Sequence, residues 1–393
     1  MRGERINIKR NIKKYNIMRI EKIVNLIATG IVLMGCSSDP ELDVQKQETG
    51  EQPIAFFSYA QKATRGENSK TSQSQNLEAY HTTLAVYGYK YILGVEQDPV
   101  FDNVKLEYID SLGTGDGAWE YSPMRYWDKT ADGGYNFYAA APYSVAEDAQ
   151  YDWTWDAETK KFSLTDFSVT SNTIAPTSVI NNGAVFDTDT DLMISTDIIG
   201  YNDFTANKVN LEFNHILTRI NIGMKKDVAM SDDEVVLKEI TICNTFCQGS
   251  YDESKDEGAS LQAGSVARWN ELGKLQTTGV GYNKTTTITT SYNYVYQALF
   301  IPQRVAYVPC QLNGQGLNQD SAPYLHVVYT INGETFSSYY NLADIFNGDS
   351  EDDFNFNEGW QNTLNININP SASRINFDAT TYEWATNEQN VEI

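Results

Sequence analysis

Histidine is nearly missing, with 3 in 393 residues, and cysteine numbers only 4, so neither a multi-metal centre nor a dense disulfide framework is expected of this chain. No cofactor is expected either. Positive charge is also short: 29 Lys and Arg stand against 52 Asp and Glu, a formal net charge of −23. A chain this acidic is a poor partner for nucleic acid or an anionic membrane surface. Long apolar runs are absent too, since the stretch Ile23 to Leu33 holds 11 residues and a membrane-spanning helix takes about 20. What is present is apolar and aromatic material, 41% and 12% with 25 Tyr, enough for a folded core. The length is a soft prior for two domains.

The amino end reads as targeting rather than structure. Arg2, Arg5, Lys9, Arg10, Lys13 and Lys14 crowd the first 15 residues without an apolar face. Met18 opens a better secretory signal: Arg19 and Lys22, then the apolar run, then Gly35 and Cys36. Whether Met1 or Met18 is the start stays open. Leu33-Met34-Gly35-Cys36 resembles a bacterial lipoprotein box, which implies diacylation of the Cys36 thiol, palmitate-type chains included, and cleavage before it. Two acyl chains at about 0.8 kcal/mol per buried CH₂ anchor a protein without a transmembrane helix. The following Ser37, Ser38, Asp39, Glu41 and Asp43 resemble the acidic tether of outer-membrane lipoproteins. From Cys36 to Glu51 the chain reads as a flexible leash.

Beyond Cys36, alternating apolar patterns dominate and no long 3.6-residue period appears. Strands are predicted over Leu84 to Tyr91, Tyr135 to Ala140, Val209 to Phe213, Ile216 to Met224 and Val235 to Ile242. Others follow at Thr285 to Thr290, Tyr294 to Ile301, Tyr324 to Ile331 and Thr363 to Ile368. Asn332-Gly333 between two strands predicts a two-residue hairpin. Many short strands separated by turn residues predict an all-β chain of two sandwiches. The expected boundaries are 1–35 for the upstream extension and signal peptide, 36–65 for a lipidated propeptide, 66–205 and 206–393 for the two sandwiches.

Catalytic and metal motifs are weak. Cys243 and Cys247 are four residues apart, about 13 Å on an extended strand, too far for a disulfide unless the chain turns at Asn244. Either could pair with Cys310, and buried thiols are the plainer expectation. Asp187, Asp189 and Asp191 lack the Gly and Glu of a calcium loop and read as solvated. His81, His215 and His326 sit singly in strand contexts. Trp153 and Trp155 share a strand face and could stack on a sugar, although packing is the commoner use. The chain is not expected to be an enzyme.

A different logic surrounds residues 54 to 66. Ile54 to Tyr59 is an isolated apolar strand between the polar leash and the polar stretch Gly66 to Gln75. Alternation puts Ile54, Phe56 and Ser58 on one face and Ala55, Phe57 and Tyr59 on the other, with the buried face left open. Arg65 follows directly, flanked by Thr64 and Gly66, as a candidate site of proteolysis; Lys62 is the competing basic residue.

Colinear motifs then give a family resemblance across nearly the whole mature chain. They are Pro53 to Phe57 with Ala63 to Gly66; Leu84 to Tyr89; Arg125-Tyr126-Trp127 leading to Tyr135 to Tyr143; Asp191-Leu192-Met193; Phe213 to Ile220; Leu299 to Gln303; Gly359-Trp360; and Ile375-Asn376-Phe377 before Trp384. Together they resemble the fimbrillins, the FimA/Mfa-like pilus subunits of Bacteroidales. The resemblance implies two tandem transthyretin-like β-sandwiches, export as an outer-membrane lipoprotein, and removal of the first strand by an Arg-specific protease. A donor strand from another pilus subunit then fills the groove. Ile54, Ala55, Phe56, Phe57 and Tyr59 would form the removable plug, and Ile375, Phe377 and Ala379, extended by Val391 and Ile393, the donor. A last strand packed in its own domain is the equal alternative for that segment. Expected partners are other subunits, the protease, the outer membrane through the lipid, and a host or bacterial surface ligand. The rival is a non-polymerising surface lipoprotein that binds glycan or host protein. Stalk, anchor and tip roles stay open.

Overall fold

A computed structural model describes residues 52–60, 82–110, 117–143, 153–169, 191–195, 197–202, 208–255, 268–276, 280–282, 285–307, 323–347, 353–370 and 375–383. In chain order the strands begin with β1 (Phe56–Ala60), β2 (Thr83–Ile92), β3 (Val95–Glu96), β4 (Phe101–Ile109), β5 (Ala118–Glu120), β6 (Tyr135–Ala141), β7 (Thr154–Asp156) and β8 (Lys161–Ser168). Next come β9 (Met193–Ser195), β10 (Ile198–Tyr201), β11 (Val209–His215), β12 (Thr218–Lys226), β13 (Val235–Cys243), β14 (Thr245–Asp252), β15 (Trp269–Gln276) and β16 (Val280–Tyr282). The last are β17 (Thr286–Thr287), β18 (Asn293–Phe300), β19 (Gln303–Val305), β20 (Tyr324–Ile331), β21 (Glu334–Asn341), β22 (Phe354–Phe356), β23 (Trp360–Ile368) and β24 (Ile375–Glu383), with a short helix α1 (Leu342–Asn347) between β21 and β22. The fold is all-β.

Two cores form, each between two sheets. The first lies between the sheet β1-β11-β9-β6-β2-β4-β5 and the sheet β15-β14-β8-β7. Its central strands β2 and β6 are buried nearly throughout, as their runs of Val, Tyr, Phe and Ala require. The second lies between β18-β12-β23-β24 and β16-β13-β20-β21. There β12 and β23 run parallel at the sheet centre, with Ile220, Ile222 and Met224 beside Leu364, Ile366 and Ile368. The predicted hairpin is present: Asn332 and Gly333 both have positive φ, 48° and 86°, which a two-residue turn matched to strand twist requires. Asn341 Oδ1 accepts the Ala343 amide at 2.9 Å and starts α1, a helix too short for its period to show in the sequence.

β11 lies just past the expected boundary at 205/206. Val209, Leu211 and Phe213 are fully buried in the first core because β11 pairs with β1 and β9. Ile216 and Leu217, predicted as the start of a strand, form the corner between the two sheets and also enter the first core. The chain then returns: after β13, Asn244 turns at φ 60° and β14 pairs with β8. That turn separates Cys243 from Cys247, which are both buried and belong to different sheets. Burial pushes the Cys243 thiol pKa up. Cys310 lies outside the described residues.

The two cores meet around this corner. Leu299 and Ile301 enter the first core, while Ala298 and Phe300 enter the second. Trp269 Nε1 donates to the Ile216 carbonyl at 2.7 Å, and the Gly359 amide donates to the Leu217 carbonyl at 3.0 Å. Gly359 has φ 67°, and a Cβ there would stand 3.0 Å from the His215 carbonyl oxygen, so the close approach needs glycine. Beside it Arg268 Nη1 lies 3.1 Å from Glu358 Oε1, and the Tyr251 hydroxyl donates to the same oxygen at 3.5 Å.

Candidate functional site: an edge strand over an aromatic bed

Among the described residues β1 is the terminal strand of its sheet and pairs only with β11, in parallel, from Phe56 opposite Val209 to Ala60 opposite Phe213. Its amino-terminal approach is tied from the other side. The Ile54 amide donates to the Arg125 carbonyl and the Trp127 amide to the Gln52 carbonyl, each at 2.9 Å. The Tyr121 hydroxyl donates to the Ile54 carbonyl at 2.6 Å, and the Val209 amide to that of Ala55 at 2.7 Å. Burial holds the Tyr121 phenol pKa above its usual value.

The buried face is the one carrying Ile54, Phe56 and Ser58, while Ala55 is half-buried and Phe57 is exposed. Phe56 sits edge-on to Phe101 at 5.3 Å, to Phe137 at 5.6 Å and to Tyr121 at 6.0 Å. These rings approach because residue 88 is glycine: a Cβ there would meet Phe137 at 3.0 Å and Phe101 at 3.1 Å. Burying Ile54 and Phe56 contributes about 1.5 to 3 kcal/mol each as an upper value. Ser58 Oγ is buried without a hydrogen-bond partner, which subtracts from that gain. The strand is thus held firmly by its side chains and main-chain bonds, yet it occupies an outer position in the sheet.

Other candidate residues fall as follows. Cys36, Lys62, Arg65, Val391 and Ile393 lie outside the described residues, as do the side chains of Tyr59, Ile375 and Phe377. Ile375, Phe377 and Ala379 belong to β24, which pairs antiparallel with β23 along its whole length at the edge of its own sheet. Ala379 packs against the second core. Trp153 and Trp155 are packed, not displayed: Trp153 Nε1 donates to the Pro142 carbonyl at 2.9 Å, and Trp155 stacks on Tyr87 at 4.6 Å.

Two residues expected to stand apart are in fact paired. Asp191, expected in a solvated loop, is fully buried, and its carboxylate oxygens lie 3.0 and 3.1 Å from His215 Nδ1. The pairing of β9 with β11 brings them together across 24 residues of sequence, beyond the reach of any local spacing rule. His326, likewise expected to be single, stacks on Tyr339 at 4.2 Å, with Ser337 Oγ 2.9 Å from its Nε2. Among the described residues no group of three or more His, Cys, Asp or Glu is placed to hold a metal ion.

The model of the fimbrillin-like family matches residues 64–384. The chain belongs to the fimbrillin-like family. It is similar to a fimbrial protein from Bacteroides vulgatus, at 14% identity and a TM-score of 0.49, over 84% of this chain and 99% of that one. It is also similar to the tip fimbrial protein Mfa3 of Porphyromonas gingivalis with C-terminal truncation, at 9% identity and a TM-score of 0.39, over 85% and 100%. No curated protein sequence matches.

Proposed function

We propose that this chain is a pilus subunit made as a lipid-anchored precursor and assembled by exchange of its first strand. In this reading residues 1–35 are the extension and signal peptide, and 36–65 the propeptide. Cys36 carries the lipid that holds the precursor at the outer membrane. An Arg-specific protease cuts after Arg65, and β1 leaves with the released segment. A strand from the carboxyl-terminal region of another subunit then takes its place. The two sandwiches meet at the Ile216–Leu217 corner rather than at 205/206.

One observation carries the reading: among the described residues β1 is the outermost strand of its sheet and pairs within it only with β11, over a bed of Phe101, Phe137 and Tyr121. An outermost strand can depart without opening the sheet around it. Its departure would strip the Val209 amide and the Arg125 carbonyl of their partners and bare an apolar groove, which is what an added strand satisfies. Membership of the fimbrillin-like family supports it further. β24 is bonded to β23 in its own sheet, so the donor would be either the segment after Glu383 or β24 itself after release.

The test is amino-terminal sequencing of protein sheared from cells, with Gly66 as the expected first residue. The protease-treated precursor is expected to form ladders that resist SDS but not boiling. A stable product starting elsewhere, or a protein that stays monomeric after the cut, would sink the proposal.

A further inference from the structure

β1 and its approach turn three side chains toward the first core: Ile54, Phe56 and Ser58, at 0%, 3% and 1% exposure. The first two suit what lies beneath them. Phe56 meets Phe101, Phe137 and Tyr121 edge-on, and Ile54 is wholly covered. The third does not. Ser58 stands opposite Leu211 of β11, between the levels of Val209 and Phe213, and those three side chains are fully buried. Against that apolar floor the Ser58 hydroxyl has no hydrogen-bond partner. A buried hydroxyl left unpaired costs enough to shift an equilibrium about tenfold. The strand is therefore an imperfect occupant of its own place, and the fault lies in one oxygen atom.

The chain carries the same pattern a second time. Ile-x-Phe occurs in the sequence at residues 54 and 375 and nowhere else, and the alternation continues to Ser58 in the first case and to Ala379 in the second. Ile375, Phe377 and Ala379 belong to β24, where they stand opposite Ile368, Ile366 and Leu364 of β23, three residues buried in the second core. Their spacing gives them one shared strand face, as in β1. Ala379 itself packs against that core. The intervening positions differ: Ala55 and Phe57 in the first pattern, Asn376 and Asp378 in the second. Phe57 is 38% exposed, so polar residues suit the wet side of that place better.

We infer that Ser58 is the residue that decides the exchange, because a strand with alanine in its place outcompetes the plug for the same groove. The occupant is residues 375–379 of a second copy, seated with Ile375, Phe377 and Ala379 at the places of Ile54, Phe56 and Ser58. The inference rests on the strand-exchange reading and adds to it the register of the incoming strand and the position that favours it. At two of the three inward places the strands are identical, so neither gains there. At the third the incoming alanine buries a methyl group where the plug buries an unpaired hydroxyl. Among the described residues β24 lies at the edge of its own sheet, so it too can leave without opening the sheet around it.

The experiment uses the full-length chain cut by an Arg-specific protease, with loss of the propeptide followed by size-exclusion chromatography and ladders by electrophoresis in SDS. Ser58→Ala, and the near-isosteric Ser58→Cys kept reduced, are expected to raise the urea midpoint of the uncut precursor. Both are expected to slow propeptide loss and ladder growth about tenfold. Synthetic peptides of residues 373–382, added to the cut wild-type protein, probe the incoming side. The natural sequence is expected to displace the propeptide about tenfold faster than the same peptide with Ala379→Ser. An unchanged rate or a lower midpoint in both Ser58 variants, or equal displacement by the two peptides, overturns the inference. A peptide of residues 385–393 that displaces the propeptide faster than residues 373–382 overturns it too. Wild-type protein that keeps its propeptide and forms no ladders ends the strand-exchange reading as well, whereas wild-type ladders with indifferent variants and peptides end this inference alone.

Discussion

Leu93 shows how a single residue can oppose the rule of its own position. The turn Leu93-Gly94 needs positive φ at both places, which a branched apolar side chain adopts at a cost and asparagine tolerates well. Little burial is lost on replacement, since the side chain is almost wholly exposed. Leu93→Asn is therefore expected to raise the unfolding free energy by about 0.5 to 1 kcal/mol. Urea unfolding checks this. A variant that is less stable than the wild-type protein would refute the account. The sequence displays this leucine plainly, but nothing local says that positions 93 and 94 form the turn, because β3 is only two residues long. Asp191 and His215 are similar: each is visible, and their contact is not.

At the scale of elements, periodicity located strands well wherever one side of the strand is wet or both sides are dry. β2, β6, β11, β13, β20 and β23 were all legible as alternating or continuous apolar runs. β4 was missed, since Asp102, Asn103, Lys105 and Glu107 dilute its apolar face. β1 was legible as an isolated apolar ribbon, but not which face is buried, because aromatics lie on both. The choice follows from Phe101, Phe137 and Tyr121, which come from three distant segments. Phe56→Ala is expected to cost the intact precursor about 3 to 5 kcal/mol. It should leave the cleaved product unchanged, since a product beginning at Gly66 no longer contains residue 56. Chemical denaturation of both forms measures the difference, and an equal loss in both would show that β1 stays with the mature protein.

At the scale of the whole molecule, the contact between the two cores carries a pH dependence of its own. Glu358 reaches toward the first sandwich, and burial pushes its carboxyl up to about 7, opposed by Arg268 and Tyr251 and assisted by Glu253. A carboxyl that titrates higher in the folded state than in the unfolded chain holds an extra proton when folded. Between the usual carboxylate range and pH 7 the folded state therefore binds more protons, and stability falls as pH rises through that window. One proton limits the slope to about 1.4 kcal/mol per pH unit. Unfolding followed from pH 5 to 8 should show this decline, and Glu358→Gln should flatten it. An unchanged slope in the variant would place the dependence elsewhere.

Composition, strand periodicity and the order of motifs were enough to establish an all-β chain of the fimbrillin-like class, because burial on one or both faces of a strand leaves its mark in the residues themselves. Which strands lie side by side left no such mark. The edge position of β1, its buried face, the return of β14 and β15 to the first sandwich and the meeting of Glu358 with Arg268 all depend on pairing between distant segments. Those pairings are chosen by the packing of whole sheets, which no local window of residues contains.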